Sequence, residues 1–301
     1  MSLQPAVARA LSAAGLDPAG TEQTVRGALA EDLRYGPDVT TEATVPAGRF
    51  ATAAVVARQP GVLAGIPVAL AVLDAAGAGT GSVKVRRGDG DRIGPGEEVL
   101  RVHAPARELL LAERTLLNFL NHLSGIATAT RAWADAVAGT GCTVRDTRKT
   151  LPGLRQLEKY AVRCGGGANH RFGLGDAALI KDNHVAAAGG IAAAIGAVRA
   201  AAPATAMEVE CDTLAQVREA LAAGASLILL DNMDLAAMRA AVELRAAHPG
   251  ARFEASGGLR LDSARAVAAT GVDYLAVGAL THSSPGLDLG LDLLDGGRLD
   301  T

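Results

Sequence analysis

The chain has 301 residues, with 29 Lys+Arg against 32 Asp+Glu and a formal net charge of −3. This balance offers neither a broad basic surface for nucleic acid nor an acidic tail, and aromatic residues at 3% leave few platforms for stacking bases. Hydrophobic residues at 49% and charged residues at 20% suit a chain that buries a sizeable core, as one large domain or two smaller ones, and argue against disorder.

Up to about Pro46 the pattern is helical and polar. Its opening apolar run, residues 6–16, is broken by Arg9 and followed by Asp17, as in an amphipathic helix rather than a secretory leader. From Phe50 to His103 short β-like runs punctuated by Gly and Pro predict strands over 53–58, 62–64, 82–86 and 98–103, with turns at 58–61 and 94–96. The segment 88–96 has the flavour of a lipoyl-type carrier hairpin, yet no lysine follows at a hairpin tip, and it is read as a turn between strands. A long helix is then expected over 106–138. Leu109, Leu116, Leu120 and Leu123 make one apolar face of it, while Arg114, Asn118 and Asn121 line another. That second stripe faces water, a partner subunit or an anionic ligand.

From Cys142 onward apolar β-like runs alternate with helices. Strands are expected over 142–147, 177–181, 207–211, 227–231, 252–255 and 274–277, with helices over 154–162, 214–223, 235–247 and 263–270. Repeated βα units with no switch of pattern predict a parallel α/β barrel, whole or incomplete. No G-x-G-x-x-G follows the first strand, which counts against a dinucleotide-binding fold. The apolar run 185–198 is broken by Gly189, Gly190 and Gly196 and falls short of the ~20 residues that span a bilayer, so a cytoplasmic protein is expected. Cys142, Cys164 and Cys211 are odd in number and form no C-x-x-C. They read as small buried hydrophobes rather than a disulfide framework or zinc site.

Ligands of such barrels sit at the carboxyl ends of the strands. The first two runs end in cations, Arg148 and Lys149, then Lys181; the next two carry acids, Glu208 and Glu210, then Asp231; the last two end in glycine, Gly257 and Gly258, then Gly278. Glycine turns after the last strands let backbone N–H groups approach a phosphate, so a phosphorylated ligand is expected. Glu210 and Asp231 can chelate Mg²⁺ or accept hydrogen bonds from ribose hydroxyls, with an ion pair to Lys181 as the competing account. A Gly-rich loop over 164–176 carries His170 and Arg171, which with Arg148, Lys149 and Lys181 predict a cationic pocket for a ligand of several negative charges.

These residues bring the chain close to a known family. It resembles quinolinate phosphoribosyltransferase through Glu31-Asp32-Leu33, Glu113-Arg114-Thr115, Asp146-Thr147-Arg148-Lys149-Thr150, Asn169-His170-Arg171, Lys181-Asp182-Asn183-His184, Glu208-Val209-Glu210, Leu230-Asp231-Asn232, Ser256-Gly257-Gly258 and Gly278-Ala279-Leu280. The resemblance implies an N-terminal α/β sandwich-like domain over 1–125, an incomplete TIM-like α/β barrel over 126–285, and a tail over 286–301 that packs back on the first domain. It also implies a homodimer in which Arg114 enters the partner's site. Arg148, His170, Arg171 and Lys181 would contact the carboxylates of quinolinate, and Lys149 and Lys181 the phosphoribosyl pyrophosphate (PRPP). Glu210 and Asp231 would handle ribose hydroxyls and Mg²⁺, directly or through PRPP. Thr147 lies beside this set, and Ser256, Gly257, Gly258, Gly278, Ala279 and Leu280 form the loops of the 5′-phosphate site. The implied catalytic set is Lys149, Lys181, Glu210 and Asp231, and the product is nicotinate mononucleotide with pyrophosphate and CO₂.

Other readings of the same residues are a phosphoribosyltransferase for another pyridine or pyrrole acid, a lyase forming a Schiff base on Lys181, and a sensor of phosphorylated ligands.

Overall fold

The structure is a computed structural model and describes residues 2–294. Its described residues divide into two compact units: 2–131 with Leu151–Gly166 and 283–294, and Ala132–Thr150 with Gly167–His282.

The chain opens with α1 (Pro5–Ala13), α2 (Pro18–Asp32) and α3 (Val39–Thr44). Their starts are chemically marked. Asp17 accepts the Gly20 N–H at 2.9 Å ahead of Pro18, and Asp38 accepts the Thr41 N–H at 3.0 Å. Then come β1 (Phe50–Ala57), β2 (Gly61–Val62), α4 (Ile66–Ala75), β3 (Ser82–Val85), β4 (Arg92–Ile93), β5 (Glu98–Pro105) and the long α5 (Ala106–Ala136). Next are β6 (Thr143–Arg145), α6 (Arg155–Cys164), β7 (Ala177–Ile180), α7 (Asp182–Ala188), α8 (Ile191–Ala201), β8 (Ala206–Cys211) and α9 (Leu214–Ala222). The rest is β9 (Leu227–Asp231), α10 (Leu235–Glu243), β10 (Arg252–Ser256), α11 (Ala264–Ala268), β11 (Tyr274–Ala276), α12 (Ala279–His282) and β12 (Leu289–Leu294).

The first unit holds an antiparallel sheet in the order β12-β1-β5-β3, with the strand β12 of the tail paired to β1 from Thr52↔Leu294 to Ala57↔Leu289. The remainder of the expected tail, 295–301, lies outside the described residues. Two local expectations are corrected. The segment 88–96 is not all turn, since Arg92–Ile93 pairs with Gly61–Val62 as a small second sheet. Residues 66–75, expected within a β-like stretch, form α4, with Ile66, Val68, Ala69, Ala71, Val72 and Leu73 all buried. A helix apolar on every side has no polar stripe to betray its period. On α5, buried Ser124 accepts the Ala64 N–H at 3.0 Å and donates to the Ala64 carbonyl at 3.2 Å, which satisfies backbone groups ahead of α4.

The second unit is a parallel sheet of six strands ordered β6-β11-β10-β9-β8-β7, so each βα unit adds a neighbour and only β6 returns to the far edge. Among the described residues β6 and β7 do not pair with each other, and the barrel is incomplete. Edge β6 is met instead by the glycine-rich loop: Ala168 donates to the Val144 carbonyl at 2.8 Å and accepts the Asp146 N–H at 3.2 Å. The apolar run 185–198 becomes α7 and α8, bent by 88° at Gly189 and Gly190, and among the described residues no single helix is long and apolar enough to cross a membrane. All three cysteines are free, and burial pushes each thiol up to about 12, so none is a thiolate nucleophile at neutral pH.

Candidate active site

Alternation along a strand sends residues i and i+2 to one face, and this rule builds the site of the second unit. Lys181, Glu210, Asp231 and Ser256 stand at the carboxyl ends of their strands. Leu179, Leu229 and Glu254 lie two residues earlier on three of those strands, and all seven line one cavity of about 520 Å³. Thr147, Arg148, Lys149, His170, Arg171 and Gly257, all expected at the site, also stand in its wall. The volume suits a small-molecule site, for which roughly 300–1,000 Å³ is usual.

The charges of the cavity are arranged by sign. Lys181 Nζ pairs with the Glu210 carboxylate, as the ion-pair account anticipates. Arg171 donates from Nη1 to the Ala177 carbonyl at 3.0 Å, and burial, reinforced by the like charge of Arg148, holds its guanidinium below the usual arginine range. Two guanidiniums kept close in a partly buried wall repel each other, and an anion between them would remove that cost.

His170 is held from several directions. Its N–H donates to Asp146 Oδ1 at 2.9 Å, and fully buried Asp146 also accepts Asn169 Nδ2 at 2.5 Å, which pins the loop to the end of β6. The Arg171 N–H donates to His170 Nδ1 at 2.7 Å, so the proton of a neutral ring sits on Nε2, which faces Glu208 Oε2 at 2.7 Å. The resemblance gives this ring a carboxylate of the substrate. Here both ring nitrogens are already engaged inside the protein.

The glycine turns have steric reasons. Gly257 has φ +89°, and a Cβ there would lie 2.2 Å from Asn232 Oδ1. Gly258 follows at φ +58° against open space. Asn232 is itself left-handed at φ 52°, donates its N–H to the Ser256 carbonyl at 3.0 Å, and donates from Nδ2 to Asp231 at 2.6 Å. At Gly278 a Cβ would stand 3.0 Å from Lys149 Cδ and 3.3 Å from Thr147 Oγ1, so that turn approaches the end of β6.

Some expected residues are not brought into the cavity wall. Gly258, Gly278, Ala279 and Leu280 do not line it, and the Leu280 side chain is core, leaving only its main chain for a ligand. Arg114 is exposed on α5 in the first unit. Conversely, Asn232 and Glu254 line the cavity and Asp146 orders its loop, although no role had been expected of them. The one available signal was an acid inside an apolar run, Phe253-Glu254-Ala255.

Known proteins share this architecture and sequence. The profile of the quinolinate phosphoribosyl transferase C-terminal domain matches residues 126–292, and that of its N-terminal domain residues 38–124. The nicotinate-nucleotide pyrophosphorylase (carboxylating) of Mycobacterium leprae (strain TN) is 58% identical over 272 residues, covering 90% of this chain and 96% of its own. The Homo sapiens protein of the same name is 40% identical, covering 92% and 93%. A solved nicotinate-nucleotide pyrophosphorylase from Francisella tularensis superposes with a TM-score of 0.86 at 35% identity, covering 91% of this chain and 96% of that one. A six-stranded incomplete barrel with a basic and acidic cavity at its strand ends, joined to an antiparallel N-terminal sheet, thus coincides with matches along both halves of the sequence, and the chain belongs to the quinolinate phosphoribosyl transferase family.

Proposed function

We propose that the chain transfers the phosphoribosyl group of PRPP to the ring nitrogen of quinolinate, with loss of the 2-carboxylate as CO₂. The products are nicotinate mononucleotide and pyrophosphate, and the step belongs to NAD biosynthesis. The observation that carries this reading is one cavity holding two neighbouring guanidiniums, Arg148 and Arg171, beside the set Lys149, Lys181, Glu210 and Asp231. The guanidiniums suit a planar dicarboxylate and the lysines a pyrophosphate.

Breaking the bond from ribose C1 to pyrophosphate develops oxocarbenium character, and no protein nucleophile is required. The work is positional and electrostatic. Arg148 and Arg171 hold the carboxylates so that the ring nitrogen lies in line behind C1. Lys149 and Lys181 receive the departing pyrophosphate, and Glu210 and Asp231 accept hydrogen bonds from ribose hydroxyls. The turns at Gly257 and Gly258 and at Gly278 take the 5′-phosphate. Two hard carboxylates at adjoining strand ends suit Mg²⁺, which Glu210 and Asp231 would hold directly or through PRPP. When bound, the ion neutralises charge on the pyrophosphate. Lys181 is paired with Glu210, and the family matched along both halves of the chain is one of phosphoribosyl transfer, which favours this reading over a Schiff-base lyase.

Arg114, exposed and belonging to the unit that does not bear the cavity, is proposed to complete the site of the partner subunit in a homodimer. Three free cysteines fit a reducing compartment, and the cytoplasm is the proposed location. The reaction is tested by incubating the purified chain with PRPP, Mg²⁺ and either quinolinate or nicotinate. Nicotinate mononucleotide is expected from quinolinate alone. Product only from nicotinate would overturn the substrate assignment, and product from neither would overturn the reaction.

A further inference from the structure

Replacing the 2-carboxylate of quinolinate by hydrogen requires a proton as well as the loss of CO₂. Most of the charged groups around the cavity are committed to other work: the guanidiniums and lysines to anions, Glu210 to Lys181, and both nitrogens of His170 to Arg171 and Glu208. Glu254 differs from all of them. It stands in the otherwise apolar layer of the wall with Leu179, Leu229 and Ala276, where a flat ring would lie, and it is fully buried. Its Oε2 accepts Arg145 Nη1 at 2.5 Å, while Oε1 has no hydrogen-bond partner and lies 3.5 Å from His170 Nε2. A buried carboxyl oxygen with no donor to satisfy it suits a carboxylic acid whose O–H is held for a ligand.

We propose that Glu254 is the proton donor of the decarboxylation step, a reading that rests on the proposed reaction. Once the ring nitrogen is ribosylated, the bond from C2 to its carboxyl carbon breaks, CO₂ leaves, and the bonding pair stays on C2 beside the cationic nitrogen. That pair takes the proton of Glu254 Oε1 as the O–H bond breaks. Glu254 is left as a carboxylate on Arg145 and regains a proton from water after the product departs. The groups facing it agree with this task. Arg145 from β6 stabilises the carboxylate formed, Glu208 from β8 opposes its formation beforehand, and His170 stands between the two acids. Burial, with the Glu208 charge acting in the same direction, pushes the Glu254 carboxyl up to about 7, so a transferable proton is present at neutral pH.

The experiment is a single turnover of the full-length enzyme with quinolinate, PRPP and Mg²⁺, following pyrophosphate and nicotinate mononucleotide separately. In Glu254→Gln, pyrophosphate release stays within about threefold of the parent chain while product formation falls about 100-fold, the size of a lost general acid, and the ribosylated dicarboxylate accumulates. Glu254→Asp, which keeps a protonatable carboxyl one methylene short, shows the same split at smaller size and decides the matter if the Gln chain does not fold. Pyrophosphate and product falling in step, or neither falling, would overturn the role of Glu254. A parent chain that releases no pyrophosphate with quinolinate would overturn the phosphoribosyl reading itself, and this proposal with it.

Discussion

Glu254 carries a stability signature as well as a chemical one. Its carboxyl is pushed from 4.5 to about 7, so the folded chain keeps this proton at pH values where the unfolded chain has released it. Between those values the folded state binds more protons, and stability falls as the pH rises through the window and levels off above it. Glu254→Gln has no proton to lose. The variant should therefore gain stability relative to the parent chain from pH 5 to pH 8, read as denaturant midpoints at the two pH values. A constant difference across the window would show that Glu254 titrates as an ordinary surface carboxyl. At this scale the sequence exposes some residues and hides others. Arg148, Lys149, Lys181, Glu210 and Asp231 are legible because a charged residue ending an apolar run sits at the mouth of a parallel sheet. Asp146 and Asn232 are legible only as neighbours of such residues. Their roles depend on a loop returning from Asn169 and on a left-handed backbone, which one-dimensional spacing does not contain.

Elements with contrasting faces, or with turn residues bracketing a short apolar run, were readable in the sequence, and those with neither signal were not. The strands of the parallel sheet were placed because turn residues bracket short apolar runs, and α5 because leucines recur on one side. The buried α4 and the two-residue β4 offered neither contrast nor length. The apolar face of α5 hides another constraint, at Gly125, where a Cβ would lie 2.2 Å from the Pro285 carbonyl oxygen and 2.9 Å from Gly286 Cα. Alanine favours a helix over glycine by about 1 kcal/mol, but forcing a methyl into packed backbone costs about 1–3 kcal/mol, and backbone on both sides cannot swing away as a side chain would. Gly125→Ala is therefore expected to lower stability. Gly27→Ala on α2 has nothing within 4 Å of the new Cβ and is expected to raise stability by up to about 1 kcal/mol, from propensity alone. Thermal or denaturant midpoints of the two variants should move in opposite directions. A rise for Gly125→Ala would mean that the tail segment does not rest on α5.

At the scale of the whole molecule, the cavity lies in one unit while the exposed arginine expected at the active site lies in the other, on a helix that ends the N-terminal half. If Arg114 serves the site of the partner subunit, two inactive variants can repair each other. Arg114→Ala retains every residue of its own cavity, and Lys181→Ala retains the arginine that it lends. In a mixed dimer one site has lost both residues and the other has both intact. Random pairing of equal amounts makes half of the dimers mixed, each with one working site of two, so activity returns to about a quarter of the parent level. Each variant alone should be nearly inactive with an unchanged melting transition. The expected rise must also follow the slow exchange of subunits, because two proteins acting independently would show their full activity at once. Mixed dimers verified by differential tags that remain inactive would place Arg114 in its own subunit's chemistry, whereas an active Arg114→Ala variant on its own would place it outside the chemistry. In the second case the barrel cavity binds the dicarboxylate with Arg148 and Arg171 and without Arg114.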